Sequence, residues 1–445
     1  MLHKLANPFL NISLTLSVLV ALAIGLSILF KRIPQQSVAP TVVSINEPTP
    51  ELAVTGVLKW EFKTEGMVAT SPILVDGRLY FGSLDKHLYA IDLETGQELW
   101  KFKAKGELWS SPIQVGGSLY FGSDDGHLYA VDRQTGQKTW RFKTADKIRA
   151  SPGMANDVVY FGSDDGYFYA LAAQTGQALW RFKTGGPVQT RPAIAAGILY
   201  VGSGDSYLYA LDGQTGQAVW KFKTGGPIAS SPTVAAGMLY FGSDDGHLYA
   251  LDSQTGQEQW RFKTGGPVKS APTVANGVVY FGSHDTHLYA VDGQTGRERW
   301  KFKTRFWVES TPTVAEAVVY VGSDDTDFYA VDAQTGRELW RFDTRGNVWS
   351  SPLIHDDVIY FGSGDFYLYA LTLMTTCRHC LEPQRPLLKF ALESVTPGEW
   401  SLSMALGQIT RVVDPQFIHN GLITVLKGVI PSLAVVIRTG PDALA

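Results

Sequence analysis

Cysteine is nearly absent. The 445 residues hold only Cys377 and Cys380, so no disulfide framework ties together anything before residue 377, and the cellular compartment cannot be read from cysteine usage. Charge of one sign is also missing. Thirty-eight basic against 42 acidic side chains, spread along the chain, leave a net charge of -4, without the dense basic face that nucleic acid would need. One stretch alone resembles a membrane span: residues 9–30 are uncharged and rich in Leu, Val, Ile, Ala and Ser. Elsewhere, Lys427 and Pro431 interrupt the apolar run from Gly421 to Ile437.

What the chain has in abundance is repetition. Eight copies of a 40-residue unit fill residues 61–380 without an insertion or deletion. Trp stands at 60, 100, 140, 180, 220, 260, 300 and 340, and a Gly and a Tyr recur at the same interval, as at Gly82 and Tyr89. Within the second unit, four β-favouring runs alternate with turn signals such as Gly116-Gly117 and Asp125-Gly126. Four strands of about six residues and four turns of about four account for the period. A lone meander cannot bury both faces, whereas a ring of them can. The spacing therefore predicts an all-β fold, an eight-bladed β-propeller of four-stranded antiparallel blades over 57–380.

The ends predict how the ring closes. Units 1 to 7 finish on a strand such as Glu98–Lys103, but the eighth runs into Met374-Thr-Thr-Cys-Arg-His-Cys380. The missing strand stands at the other terminus as Val57–Thr64, and we expect it to complete blade 8.

Outside the ring, residues 1–32 read as a membrane anchor with a transmembrane helix over about 9–30. Its 22 residues would span about 33 Å as a helix. A cleaved signal is the rival reading, but the apolar run is long for one, and the site Ser37-Val38-Ala39 is followed by Pro40. Residues 33–56 read as a Pro-rich linker, and 381–445 as a tail with no assigned role. The balanced basic flanks do not fix orientation. We expect the propeller to lie outside the cytoplasm, periplasmic or extracellular, anchored through the N-terminal helix.

The motif Ala-x-Asp-x-x-Thr-Gly-x-x-x-Trp appears as Ala90, Asp92, Thr95, Gly96, Trp100 and again as Ala130, Asp132, Thr135, Gly136, Trp140. It resembles the tryptophan-docking motif of the quinoprotein-type (PQQ-like) propeller repeat. Blade 3 departs from it with Ala172 for Asp, and blade 8 with Thr372, Thr376 and Cys380. The resemblance implies that Trp60, Trp100, Trp140, Trp180, Trp220, Trp260, Trp300 and Trp340 stack between blades as structural residues. That family holds dehydrogenases that use pyrroloquinoline quinone with calcium, and non-enzymatic BamB-type propellers. Uniform blades and the lack of adjacent cysteines place this chain nearer the BamB type, although that type is anchored through a lipidated Cys missing here. No cofactor is expected, and Glu309 is the one evident carboxylate a dehydrogenase could use.

Other chemistry-bearing residues have plain readings. The turn Asp recurring at 85, 125, 165, 205, 245, 285, 325 and 365 offers too few oxygens for calcium and is read as bonding its own turn. His87, His127, His247 and His287 sit beside it on strand ends. Cys377 and Cys380 have no second pair for zinc and no His following for haem.

Function has to come from where the copies differ. One position reads Ala69, Trp109, Arg149, Gln189, Ala229, Lys269, Glu309, Trp349, while the residue before it is aliphatic in every copy. Arg191 and Trp307 are further departures. The loops that carry these residues should ring one mouth of the central channel. Trp109, Arg149, Gln189, Arg191, Lys269, Trp307, Glu309 and Trp349 are therefore the expected binding rim, with a protein partner as the first reading and a small anion held by Arg149, Arg191 and Lys269 as the second. Neutral divergence on an exposed rim is the plain alternative.

Overall fold

The computed structural model describes residues 52–377 and, beyond them, the strands Phe390–Thr396, Glu399–Met404 and Thr410–Val413; side chains are described from 55 to 374. The expected membrane helix, residues 33–51 of the linker, Cys380 and the apolar run of the tail lie outside the described residues.

Eight four-stranded antiparallel sheets follow one another along the chain. Blade 1 comprises Ile73–Val75, Arg78–Gly82, His87–Asp92 and Glu98–Lys103, and blades 2 to 7 repeat this at 40-residue intervals. The innermost strand has three residues rather than the expected six, because each is preceded by a proline, Pro72 to Pro352, which cannot donate to a ladder. The core lies between blades. Tyr80, Leu88 and Ala90 of blade 1 pack with Leu119, Phe121, Tyr129 and Val131 of blade 2, and an equivalent cluster joins blade 8 to blade 1.

Ring closure follows the expected exchange. Leu52–Lys63 pairs antiparallel with Tyr367–Cys377, which in turn pairs with Val358–Gly362. The strand begins five residues inside the segment read as linker, and its partner extends to Cys377, because Leu52–Val57 and Thr372–Cys377 are mutual edges that pair once side by side. A β-bulge between Leu58 and Trp60 matches the bulge before the Trp in every other outer strand, for instance between Ala90 and Ile91 opposite Trp100. The extra residue re-aims the Trp toward the neighbouring blade.

Each docking Trp lies flat on a glycine. Trp60, Trp100, Trp140, Trp180, Trp220, Trp260 and Trp300 meet Gly96, Gly136, Gly176, Gly216, Gly256, Gly296 and Gly336 of the following blade. A Cβ at Gly216 would fall 2.5 Å from the Trp180 ring and one at Gly296 would fall 2.7 Å from Trp260; both glycines also hold positive φ. Blade 8 has Thr376 where this glycine belongs. There the N-terminal strand supplies Gly56, whose Cβ would lie 2.7 Å from Trp340.

The indoles also tie blades together. Trp140 Nε1 donates to the Ala173 carbonyl at 2.9 Å and Trp300 Nε1 to that of Ala333 at 2.9 Å. Trp180 Nε1 reaches the Gly213 carbonyl at 3.2 Å and Trp260 Nε1 that of Gly293 at 3.1 Å. All eight tryptophans thus pack on a glycine, and Trp60, Trp140, Trp180, Trp260 and Trp300 also bond a carbonyl of the next blade, whereas Trp100 Nε1 and Trp340 Nε1 have no partner among the described residues.

The three tail strands form a separate antiparallel sheet in chain order.

Candidate functional site at the channel rim

The rim is built from two loops per blade. In blade 3, Ile148 N–H donates to the Ser123 carbonyl of blade 2 at 3.1 Å, and Asp164 N–H of the blade's own turn donates to Lys147 O at 2.9 Å. The variable position beside Ile148 is thereby set against the residue that follows Ser123. Sequence reasoning missed that second position. It reads Leu84, Asp124, Asp164, Gly204, Asp244, His284, Asp324, Gly364, and Asp124, Asp164 and His284 each bond the variable residue 25 places further along the chain.

Chemistry matches across this seam. Arg149 donates through Nε and Nη2 to both oxygens of Asp124, at 3.0 and 2.8 Å, and Lys147 Nζ lies 3.1 Å from the same carboxylate. Burial pushes the Asp124 carboxyl up, but the two cations outweigh it and hold the group below its ordinary value. Gln189 Nε2 donates to Asp164 at 2.9 Å, and Glu309 meets His284 Nε2 at 2.6 Å. Lys269 is close enough to Asp244 to favour its ionised form, though burial still raises that carboxyl. Small residues stand opposite small ones, Gly204 with Ala229 and Gly364 with Ala69, beside the backbone bonds Ile228 N–H to Ser203 O and Val68 N–H to Ser363 O. The signal was present in the sequence as a second varying column whose chemistry tracks the first.

The expected rim residues divide into groups. Trp109 and Trp349, from blades 2 and 8, meet across the small Ala69 of blade 1 with ring centroids 5.9 Å apart. The Arg149 guanidinium covers Trp109 at 5.5 Å. Trp307 stacks on His284 at 4.3 Å, with planes 3° apart, and touches Phe306 at 4.9 Å. Phe306, which the sequence reading passed over, is 46% exposed and Trp307 40%. Six of the other seven blades place Gly where Phe306 stands. A Cβ at Gly66 would meet backbone at 2.6 Å, so any residue other than Gly at this position requires the neighbouring turn to shift. Gln189 stays with its Asp164 partner, while Arg191 and Lys269 join neither aromatic group. The expected three-cation anion site is therefore not assembled: Arg149 is neutralised by Asp124.

Asp324 is the rim's most perturbed carboxyl, raised to about 7 by burial and then by the negative charge of Glu309. The Trp349 indole favours its ionised form, yet Asp324 Oδ1 and Trp349 Nε1 lack a well-formed hydrogen bond among the described residues. Below the ordinary value of 3.8 both folded and unfolded chains hold this proton; between there and about 7 only the folded chain does. Stability from this group therefore falls as pH rises through that window and is lowest above it. Asp324→Asn should remove the slope, gaining on the parent at pH 8 relative to pH 4 by on the order of 2–4 kcal/mol. Melting curves at both pH values check this, and parallel pH profiles would refute it.

The other singled-out groups have structural partners. Asp85 Oδ1 accepts His87 N–H at 2.9 Å, while Oδ2 accepts Tyr89 O–H at 2.8 Å and Glu65 N–H at 3.0 Å. This explains why that Asp and Tyr recur together. His87, His127 and His247 each lie 3.1–3.2 Å from the carboxylate of their own turn. Among the described residues, no three or more His, Cys, Asp or Glu side chains are grouped to hold a metal ion. Glu309, the carboxylate that a dehydrogenase could use, is engaged by His284 at 2.6 Å.

A sequence profile described as "Outer membrane protein assembly factor BamB" matches in overlapping segments, 50–140, 93–190, 124–235, 164–300 and 249–376. The chain belongs to this family of PQQ-like propellers. No curated protein matches it. Among solved structures, BamB from Moraxella catarrhalis superposes with a TM-score of 0.64 at 20% identity, covering 72% of this chain and all (100%) of the other. The computationally designed Ika8 protein gives 0.63 at 19% identity, over 70% and 98%. The quinohemoprotein alcohol dehydrogenase from Comamonas testosteroni gives 0.62 at 17%, over 76% and 79%. At these identities the structural likenesses establish the fold alone. BamB-family members and dehydrogenases share it.

Proposed function

We propose that this BamB-family propeller is a protein-binding scaffold that engages its partner through the rim arc running from blade 6 through blades 7, 8 and 1 to blade 3. We further propose that it works outside the cytoplasm, tethered to a membrane by residues 9–30. The observation that carries the reading is the exposed pair Phe306–Trp307, backed by the Trp349–Trp109–Arg149 stack. Exposed aromatics on a rigid frame cost little to order on binding and dominate interface energies. Arg149 and Asp124 would contribute orientation, as a paired charge at the edge of the contact.

A photo-crosslinking amino acid at position 306 should yield a discrete adduct in cells, whereas the same group at Leu179, exposed on an outer strand, should not. Once the partner is captured, Phe306→Ala with Trp307→Ala should weaken binding by at least about 2 kcal/mol, as loss of a central aromatic pair does. Their melting temperature should stay close to that of the parent, because both rings lie on the surface outside the interblade core clusters. Indistinguishable adducts at 306 and 179, or full affinity in the double variant, would refute the rim as the contact surface.

A further inference from the structure

Two residues inward from the rim, a second ring faces the channel. The residue before it is buried, as Thr190, and the proline after it is buried, as Pro192, so by alternation the side chain between them turns to the lumen. Four of its members make the same contact. Ser71 Oγ accepts Ser351 N–H, Ser111 Oγ accepts Ser71 N–H, Ser151 Oγ accepts Ser111 N–H and Ser231 Oγ accepts Arg191 N–H, each at 2.9 Å. Among the described hydrogen bonds none of these four hydroxyls donates, so their O–H groups remain available toward the axis.

Arg191 occupies the same ring in blade 4. Its backbone makes the standard contact, but its guanidinium has no hydrogen bond or ion pair among the described residues. It is open to solvent yet enclosed by protein, and desolvation depresses its pKa with no carboxylate offsetting the effect. The eight innermost strands, from Ile73–Val75 to Leu353–His355, contain no Asp or Glu. This level of the channel therefore offers a planar cationic fork and hydroxyl donors, with no anionic group to balance them. A confined cation of this kind is stabilised by taking up an opposite charge.

We propose that the channel at the level of Arg191 binds an oxyanion, a phosphate or carboxylate gripped by the guanidinium fork and by neighbouring serine hydroxyls. Its source is either a free anion or the carboxylate terminus of a chain reaching in from the rim. The site stands apart from the rim contact: Arg149, on the rim, is already paired with Asp124, whereas Arg191 is not.

The test is a calorimetric titration of the full chain in detergent, at constant ionic strength. The probes are inorganic phosphate, a short peptide with a free C-terminal carboxylate, and the amide of that peptide. Saturable binding of phosphate indicates a free anion; binding of the acid peptide but not its amide indicates a chain terminus. Arg191→Ser, which restores the residue of neighbouring blades and keeps the N–H to Ser231, should weaken either response at least about tenfold. Arg261→Ser, an equal loss of charge on an outer strand, should leave it unchanged. No saturable binding of phosphate or acid peptide overturns the site. So does equal binding by acid and amide peptides without phosphate binding, undiminished binding in Arg191→Ser, or an equal loss in Arg261→Ser.

Discussion

Removing residues 1–63 should abolish the closed ring, whereas removing residues 1–51 should leave the melting temperature unchanged. The strand Leu52–Lys63 makes eleven register pairs with blade 8, from Leu52 opposite Cys377 to Lys63 opposite Tyr367. It also carries three contacts that no other segment can replace. Gly56 receives Trp340; Trp60 covers Gly96 of blade 1 and donates to the Leu93 carbonyl at 3.2 Å; Phe62 packs edge-on against Phe81 and Tyr89 at 5.9 and 5.4 Å. Without the strand, blade 8 keeps three strands and an open apolar edge, which invites aggregation. A gentler probe is Gly56→Val, whose added carbons would collide with the Trp340 ring and cost about 1–3 kcal/mol as overpacking. Thermal melting and limited proteolysis of the two truncations decide the matter. Equal stability would mean that the ring is held by its blade cores alone.

Trp300→Ala should destabilise the protein by about 3–5 kcal/mol, the usual cost of emptying a buried aromatic site. Trp300 is only 8% exposed, lies flat on Gly336, packs against Tyr280 at 5.8 Å and donates to Ala333 O. Its truncation opens a cavity between blades 6 and 7 and removes a hydrogen bond to the start of the Thr-Gly turn. Trp307→Ala, in the loop after the Glu298–Lys303 strand and 40% exposed, should change stability by no more than about 0.5 kcal/mol. Denaturant midpoints of the two variants test whether docking tryptophans and rim tryptophans belong to different classes. Equal losses would place Trp307 in the core and remove the basis for its binding role.

The fold was legible because repetition multiplies weak local signals. A single Trp, Gly or Asp-Gly turn means little, but eight at one spacing leave few architectures that bury them all. The closing strand could be read from what blade 8 lacked. Its start at Leu52 could not, since residues 52–56 carry no strong β signal and become a strand only because Thr372–Cys377 offers them an edge. The candidate site was half legible. The column from Ala69 to Trp349 stands out by its variation, but its facing column from Leu84 to Gly364 adjoins the constant turn Asp, whose local role hides the variation beside it. Arg149 looked like a free cation until Asp124 was found against it.

The sequence by itself determined the number of blades, the strand that closes the ring and the division between constant framework and variable rim, because these follow from period and composition. The tertiary structure decided which charges are spent and which are not. Blade-to-blade contacts join residues 25 or 40 positions apart, so Arg149 is neutralised by one neighbour while Arg191, two residues beyond Gln189 on the next blade, has no charged partner among the described residues. Ion pairing depends on distances of a few ångströms across a seam, and no periodicity along the chain encodes those distances.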